Sequence, residues 1–300
     1  MNYATPLNLK LPFKLAQTGR HQYLQMMTFD LTTYLARIDL EESPTGLNGL
    51  KCLQRHQISA IPFENVLPFS GQVPDVTKDA VWDKLIARSC GGYCFELNTL
   101  LGEALEALNY AFRPVLARVR MGADEGGIRN HLAFVVTLDG VEWLVDAGFG
   151  GQAPAEPLRL DTETPQDIGS QAYRIRLDQR VGEQVLERQT DDGWFPLYGF
   201  DRVPPTEADI DGANYLCATW TESSFPSNLK FYRLTADGRI SFLNGQARYV
   251  TASGDRAAEI ASLTALATFM TEDMGLKYDA QTMEILWKRL AGMQPASAES

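Results

Sequence analysis

Only three histidines, His21, His56 and His131, occur in 300 residues, so imidazole chemistry has few addresses. Four cysteines, at 52, 90, 94 and 217, are too few and too scattered for a disulfide scaffold in a chain this long. Reduced thiols in a cytoplasmic protein are the expectation. Positive charge is also short: 27 Lys and Arg against 38 Asp and Glu leave a net charge of −11. A protein that neutralises a phosphate backbone needs a basic surface, so no nucleic-acid partner is expected. No apolar run approaches the ~20 residues that cross a bilayer, so no membrane partner is expected either. The phosphate-cradling patterns G-x-x-x-x-G-K-[ST] and G-x-G-x-x-G are missing, as are internal repeats and low-complexity tracts. Cys90 and Cys94 lack the second ligand pair that a zinc site needs, and no metal is expected. What remains is ordinary globular composition, 45% hydrophobic and 22% charged, with length for two domains or three small ones.

Residues 1–26 carry Pro6 and Pro12 and scattered apolar residues, without the continuous apolar core of a secretory signal. They read as an N-terminal extension, or as lying ahead of a translation start at Met27. From there to about residue 110 the pattern is helical. Phe29, Leu31, Tyr34, Leu35 and Ile38 recur at helical spacing, and Thr77 is placed to cap a helix carrying Val81, Trp82, Leu85 and Ile86. Cys94, Leu97, Leu101, Leu105 and Leu108 mark one face of a further helix, which Asn109 is suited to stop. After Pro114 the period falls to two. Strands are predicted over 115–120, 131–138, 141–146, 173–177 and 194–198, in a small antiparallel barrel or sandwich. Pro204-Pro205 marks a boundary. Beyond it a meander over 229–234, 239–243 and 246–250 is expected, then helices over 255–274 and 281–290.

The chemistry concentrates in one hairpin. His131–Leu138 and Val141–Asp146 flank Asp139-Gly140, a type I′ turn signal. That turn sets Asp146 opposite Ala133, two residues along from His131 on the same face and within reach of its ring. Leu132, Phe134, Val136, Leu138, Val141, Trp143 and Val145 share a core face; the face carrying His131 and Asp146 is mixed and suited to border a cleft. Judged on the hairpin alone, a locally satisfied strand histidine and a turn-opening aspartate explain it as well. Cys94 supplies the missing nucleophile. It follows Gly91-Gly92-Tyr93 and opens a helix, where unpaired N–H groups and the helix dipole favour a thiolate. A small buried core cysteine is the commoner fate of a free thiol, and it is the reading given to Cys52 and Cys217.

Taken together these segments resemble the arylamine N-acetyltransferase family. Cys90-Gly-Gly-Tyr-Cys-Phe-Glu-Leu-Asn98 resembles its nucleophile motif, and Ile61-Pro-Phe-Glu-Asn65 its second helical signature. His131-Leu-Ala-Phe-Val-Val136 and Val145-Asp-Ala-Gly-Phe-Gly-Gly151 resemble the histidine and aspartate segments. Asp192–Tyr198 and Asn214–Asn228 continue the match less tightly. The resemblance covers about residues 27–290. It implies an α+β, multidomain chain: a helical bundle over 27–110 carrying the nucleophile, an antiparallel β-barrel over 111–205 carrying His and Asp, and an α/β lid over 206–300. It also implies a cysteine-protease-like catalytic triad of Cys94, His131 and Asp146. One departure stands out. The family usually has arginine where this chain has Cys90, commonly paired with the glutamate equivalent to Glu64. Either Arg88 or some other donor must serve that carboxylate here.

The implied activity is cytoplasmic acetyl transfer from acetyl-CoA, the co-substrate, to arylamines, arylhydrazines and N-hydroxyarylamines, a chemistry of xenobiotic metabolism. Asp146 orients His131, His131 holds Cys94 as a thiolate, and an acetyl-cysteine links two ping-pong half-reactions. Neutral arylamines suit an apolar pocket, for which the resemblance offers Phe63, Phe149 and Phe225, with ordinary core packing as the alternative for each. Tyr93 is offered as an amide or a ring beside the nucleophile. Gly148, Gly150 and Gly151 are the candidate amides for CoA phosphates. The same triad also suits an amide synthase using another acyl thioester, or a papain- or transglutaminase-like hydrolase.

Overall fold

In the computed structural model, residues 29–151 and 153–293 are described. The extension over 1–26, with His21, lies outside them. Short helices come first: α1 (Leu31–Arg37), α2 (Gly46–Ala60), α3 (Val66–Phe69), α4 (Lys78–Trp82) and α5 (Cys94–Ala107), with the two-residue β1 (Phe63–Glu64) between α2 and α3. Asp30 caps α1 by accepting from the Thr33 amide. Thr77 precedes α4, but its hydroxyl donates to Asp75 instead of capping. The helix then widens into a π turn over Asp83–Ala87. Asn109 takes the left-handed conformation after α5, with φ of 57°, as its position implied.

An eight-stranded antiparallel sheet follows, comprising β2 (Ala111–Val119), β3 (Arg129–Leu138), β4 (Val141–Val145), β5 (Leu158–Arg159), β6 (Gln166–Ile168), β7 (Gln171–Asp178), β8 (Glu183–Thr190) and β9 (Gly193–Phe200). Its order is β5-β4-β3-β2-β9-β8-β7-β6, and β5 reaches β7, which nearly closes a barrel. The β3–β4 register pairs Leu138 with Val141 and Phe134 with Val145, and Asp139 and Gly140 both have positive φ, as a type I′ turn requires.

Both faces of this hairpin are core. Leu132, Phe134, Val136 and Val145 pack with the helices. The mixed face packs inside the barrel at Ala133, Val135 and Leu144, with Tyr198 and Phe200, and borders a cavity at its His131 end. β8 was not visible in the sequence because its inward residues include charges. Arg120, 1% exposed, pairs with Glu183 of β8 and Asp178 of β7, so apolar alternation is broken where ion pairs replace it.

Past Pro204-Pro205 comes an unanticipated helix, α6 (Glu207–Thr219), where Thr206 and Asp209 form a reciprocal capping box. A five-stranded sheet then adds β10 (Lys230–Thr235), β11 (Gly238–Leu243), β12 (Gln246–Thr251) and β13 (Gly254–Glu259) to β1. The predicted helix over 255–274 is therefore corrected. Gly254, with φ of 135°, turns the chain so that Asp255–Glu259 pair along β12 as a polar edge strand. Only then do α7 (Leu263–Thr268), a second π turn (Phe269–Asp273) and α8 (Ala280–Ala291) follow. Among the described residues no helix is long and apolar enough to cross a membrane.

The departure at Cys90 is resolved inside the core. Glu64 takes its cation from Lys84, whose Nζ lies 2.8 Å from both Glu64 and Glu96. The Tyr278 hydroxyl adds a donor to Glu64, while Arg88 stays at the surface with Asp83. Burial works against the Lys84 ammonium, but the two carboxylates outweigh it and hold its pKa above the ordinary lysine value. Burial raises the Glu96 carboxyl despite Lys84. Removing the cation strands two buried acids, so Lys84→Met is expected to lower unfolding free energy by about 3–5 kcal/mol, measured by urea denaturation.

Candidate active site

The start of α5 is held from outside. Gly92 accepts from the Glu64 amide at 2.9 Å, and Gly91 lies so close to Pro62 that an added Cβ would sit 2.4 Å from the Pro62 oxygen. The glycines thus admit a neighbouring chain rather than substrate. Glu96 accepts from the Tyr93 amide, and the Tyr93 hydroxyl bonds Asn214. Neither the amide nor the ring of Tyr93 faces the cavity, which corrects the expectation that it lines the substrate site. Its ring instead backs Phe225 at 5.6 Å.

His131 and Asp146 meet as the hairpin register implied, with His131 Nε2 2.7 Å from Asp146 Oδ2. The carboxylate has further donors. Tyr198 hydroxyl reaches Oδ2 at 2.9 Å, and Asn98 Nδ2 and the Gly148 amide reach Oδ1 at 2.9 and 2.8 Å. Burial raises an aspartate's pKa. Here His131, Asn98 and the Gly148 amide outweigh it, holding Asp146 below its ordinary value. Asn98 also accepts from the Ala147 amide and donates to the Leu132 carbonyl, tying α5 to both strands of the hairpin. Gly148 must be glycine for a similar reason: its Cβ would lie 2.8 Å from Cys94 Cα.

Asn98, Tyr198 and Gln54 (whose side chain accepts from the Asp146 amide) were not singled out in the sequence. Asn98 had a signal, lying one helical turn after Cys94 in the nucleophile motif. Tyr198 and Gln54 had none.

Cys94, 3% exposed, and His131, 2% exposed, open on one cavity of about 340 Å³ between α5, the barrel and the second sheet. Phe63, Phe149 and Phe225 line it, as do Gly148, Gly150 and Gly151. The Gly148 amide is spent on Asp146 and so is not free for phosphate. Asn130 contributes a buried side-chain oxygen with no protein partner among the described residues. Lys230 sits at the wall, its Nζ 2.8 Å from Ser224 Oγ and 5.4 Å from the Phe225 ring centre.

Burial pushes the Cys94 thiol well up. A hydrogen bond and charge from Cys217, and then the charge of Asp146, add to this, against one Leu132 amide. Among the described residues no cluster of three or more His, Cys, Asp or Glu is arranged to hold a metal.

Because the Asp146 pKa is depressed, its stabilisation is complete above the unfolded value near 3.9 and is lost as pH falls through the lower native value. The stability gap between the wild type and Asp146→Asn should therefore narrow from pH 5 to pH 3, measured as the difference in thermal midpoints.

A sequence profile of the N-acetyltransferase family matches residues 46–283. An arylamine N-acetyltransferase of Mycobacterium tuberculosis is 34% identical over 258 residues, covering 83% of this chain and 90% of the relative. The solved enzyme of that class from Salmonella typhimurium superposes with a TM-score of 0.82 at 26% identity, over 88% of this chain and 98% of the other. The Mycobacterium marinum enzyme solved in complex with CoA superposes with a TM-score of 0.79 at 30% identity, over 87% and 98%. With the ordered motifs and this fold, the chain belongs to the arylamine N-acetyltransferase family.

Proposed function

We propose that this chain moves an acetyl group from acetyl-CoA to arylamines and arylhydrazines, and to the oxygen of N-hydroxyarylamines, through S-acetyl-Cys94. The observation that carries the reading is the His131–Asp146 pair opening, with Cys94, onto one aromatic cavity. Asp146 occupies Nε2 of His131, which leaves Nδ1 to take the thiol proton. Burial opposes a thiolate here, so its formation depends on that acceptor. The thiolate adds to the thioester carbonyl, the CoA sulfur leaves, and Cys94 is acetylated. The amine then attacks the acetyl carbon and gives its proton to His131, and Cys94 is released. Asn130 Oδ1 is placed to accept from the incoming N–H. Gly150 and Gly151 remain the loop's contribution to CoA binding.

Lys230 refines the acceptor class. It is a half-buried cation at an aromatic wall, without a carboxylate partner among the described residues, and burial lowers its pKa. A compact anion on the acceptor ring satisfies it best. The CoA pyrophosphate stands a whole pantetheine chain from the reacting sulfur, too far for a cavity of this volume.

Acetyl-CoA should add one acetyl group at Cys94, seen by mass spectrometry, and Cys94→Ala should abolish CoA release with an aniline acceptor. Failure of acetylation with acetyl-CoA but success with a longer acyl thioester would favour the synthase reading. Iodoacetamide should alkylate wild-type Cys94 near pH 6, and His131→Gln only at alkaline pH. Equal rates near pH 6 would reject the proton transfer. Lys230→Met should raise KM for 4-aminobenzoate about tenfold, near 1.4 kcal/mol, and leave Cys94 acetylation and the KM of an uncharged aniline little changed.

A further inference from the structure

Cys217 is the nucleophilic group that the transfer chemistry leaves unused. It sits near the end of α6, 1% exposed, and its Sγ donates to the Asn130 carbonyl at 3.2 Å. Cys94 Sγ, at the start of α5, points at the same oxygen from 3.9 Å. The two sulfurs therefore converge on one acceptor from helices that are 123 positions apart in the chain. Cys94 lines the cavity and Cys217 does not, so a small oxidant entering by the substrate route meets Cys94 first.

We infer that Cys217 is a resolving cysteine, which traps oxidised Cys94 as a reversible Cys94–Cys217 disulfide. This rests on Cys94 being the nucleophile of the transfer reaction. The oxidant is hydrogen peroxide. The Cys94 thiolate attacks its terminal oxygen, the O–O bond breaks, and Cys94 becomes a sulfenic acid while hydroxide takes up a proton and leaves as water. Cys217, losing its proton, then attacks the sulfenic sulfur. The S–S bond forms, the S–O bond breaks, and hydroxide leaves with that proton as a second water. Peroxide is reduced by two electrons and the two thiols are oxidised by two. Without a resolving thiol, the sulfenic acid in an enclosed site goes on to sulfinic acid, which thiol reductants do not recover.

The test uses the full-length enzyme inactivated with hydrogen peroxide, mapped without reduction and then treated with dithiothreitol. The wild type should yield a cross-linked peptide pair holding Cys94 and Cys217, and should regain about nine-tenths of its starting activity on reduction. Cys217→Ala, compared with its own untreated activity, should regain less than about a tenth and carry sulfinic acid at Cys94. The inference is overturned if Cys217 is still alkylatable in the inactivated wild type, if Cys94 pairs with Cys90, or if Cys217→Ala recovers as the wild type does. The wild-type map decides even where the variant does not fold. A failure of the nucleophile reading would show separately, as no acetyl transfer to Cys94 before peroxide is added.

Discussion

A buried carboxylate without partners would be protonated or expelled; Asp146 is neither, because four donors from separate parts of the chain converge on it. Two of those donors, His131 and Tyr198, belong to barrel strands. One, Asn98, belongs to the helix that Cys94 opens, and one is the backbone of the loop that follows β4. Helix, barrel and cavity wall are thus referenced to one charge. Its surroundings must stay closed for the hydrogen bonds to hold, and they must hold for the imidazole to keep its tautomer and orientation. The same argument explains Gly148, which serves the carboxylate through its amide and Cys94 through its missing side chain.

A second buried network secures Cys94 from behind. Lys84 bridges Glu64 and Glu96, Glu96 caps the start of α5 through Tyr93, and Glu64 lies in the strand that pairs with β10. Asn65, next in sequence, bonds the carbonyls of Phe225 and Asn228 and accepts from the Lys230 amide. One short segment therefore sets the cavity's aromatic wall and its lysine relative to Cys94. No cation is needed at Cys90, because Lys84, one helical segment earlier, supplies the charge that Glu64 takes.

How much of this was legible in the sequence follows from the range of each interaction. The His131–Asp146 contact was readable because a two-residue turn fixes register locally, and pairing arithmetic needs nothing else. The start of α5 and the stop at Asn109 were equally local. The capping box at Thr206 is local too, but Pro204-Pro205 just before it carry the stronger signal, that of a boundary. Tyr198 and Gln54 meet Asp146 only through barrel closure and helix packing, which no spacing encodes. Buried ion pairs were the hardest: Glu183 and Arg120 look like surface residues until the fold puts them together. Cys217 belongs to the same class, a residue whose neighbour lies on another helix.

The enclosure also bears on why this constellation should transfer an acyl group rather than hydrolyse one. A Cys–His–Asp arrangement activates water and amines alike, so the nucleophile does not decide the acceptor. The walls around it do. Phe63, Phe149 and Phe225 present apolar surface beside Cys94, which is itself only 3% exposed. An aromatic amine gains by leaving water for such a surface, whereas water gains nothing there beyond the few polar atoms available to it. In the proposed reaction, seating the ring would also deliver the nitrogen toward the acetyl carbon, converting a dilute collision into a positioned attack. In the proposed reaction, the low effective dielectric that makes a Cys94 thiolate costly to form would also strengthen its pairing with protonated His131. Burial of the proposed nucleophile and choice of acceptor are then two consequences of one aromatic cavity.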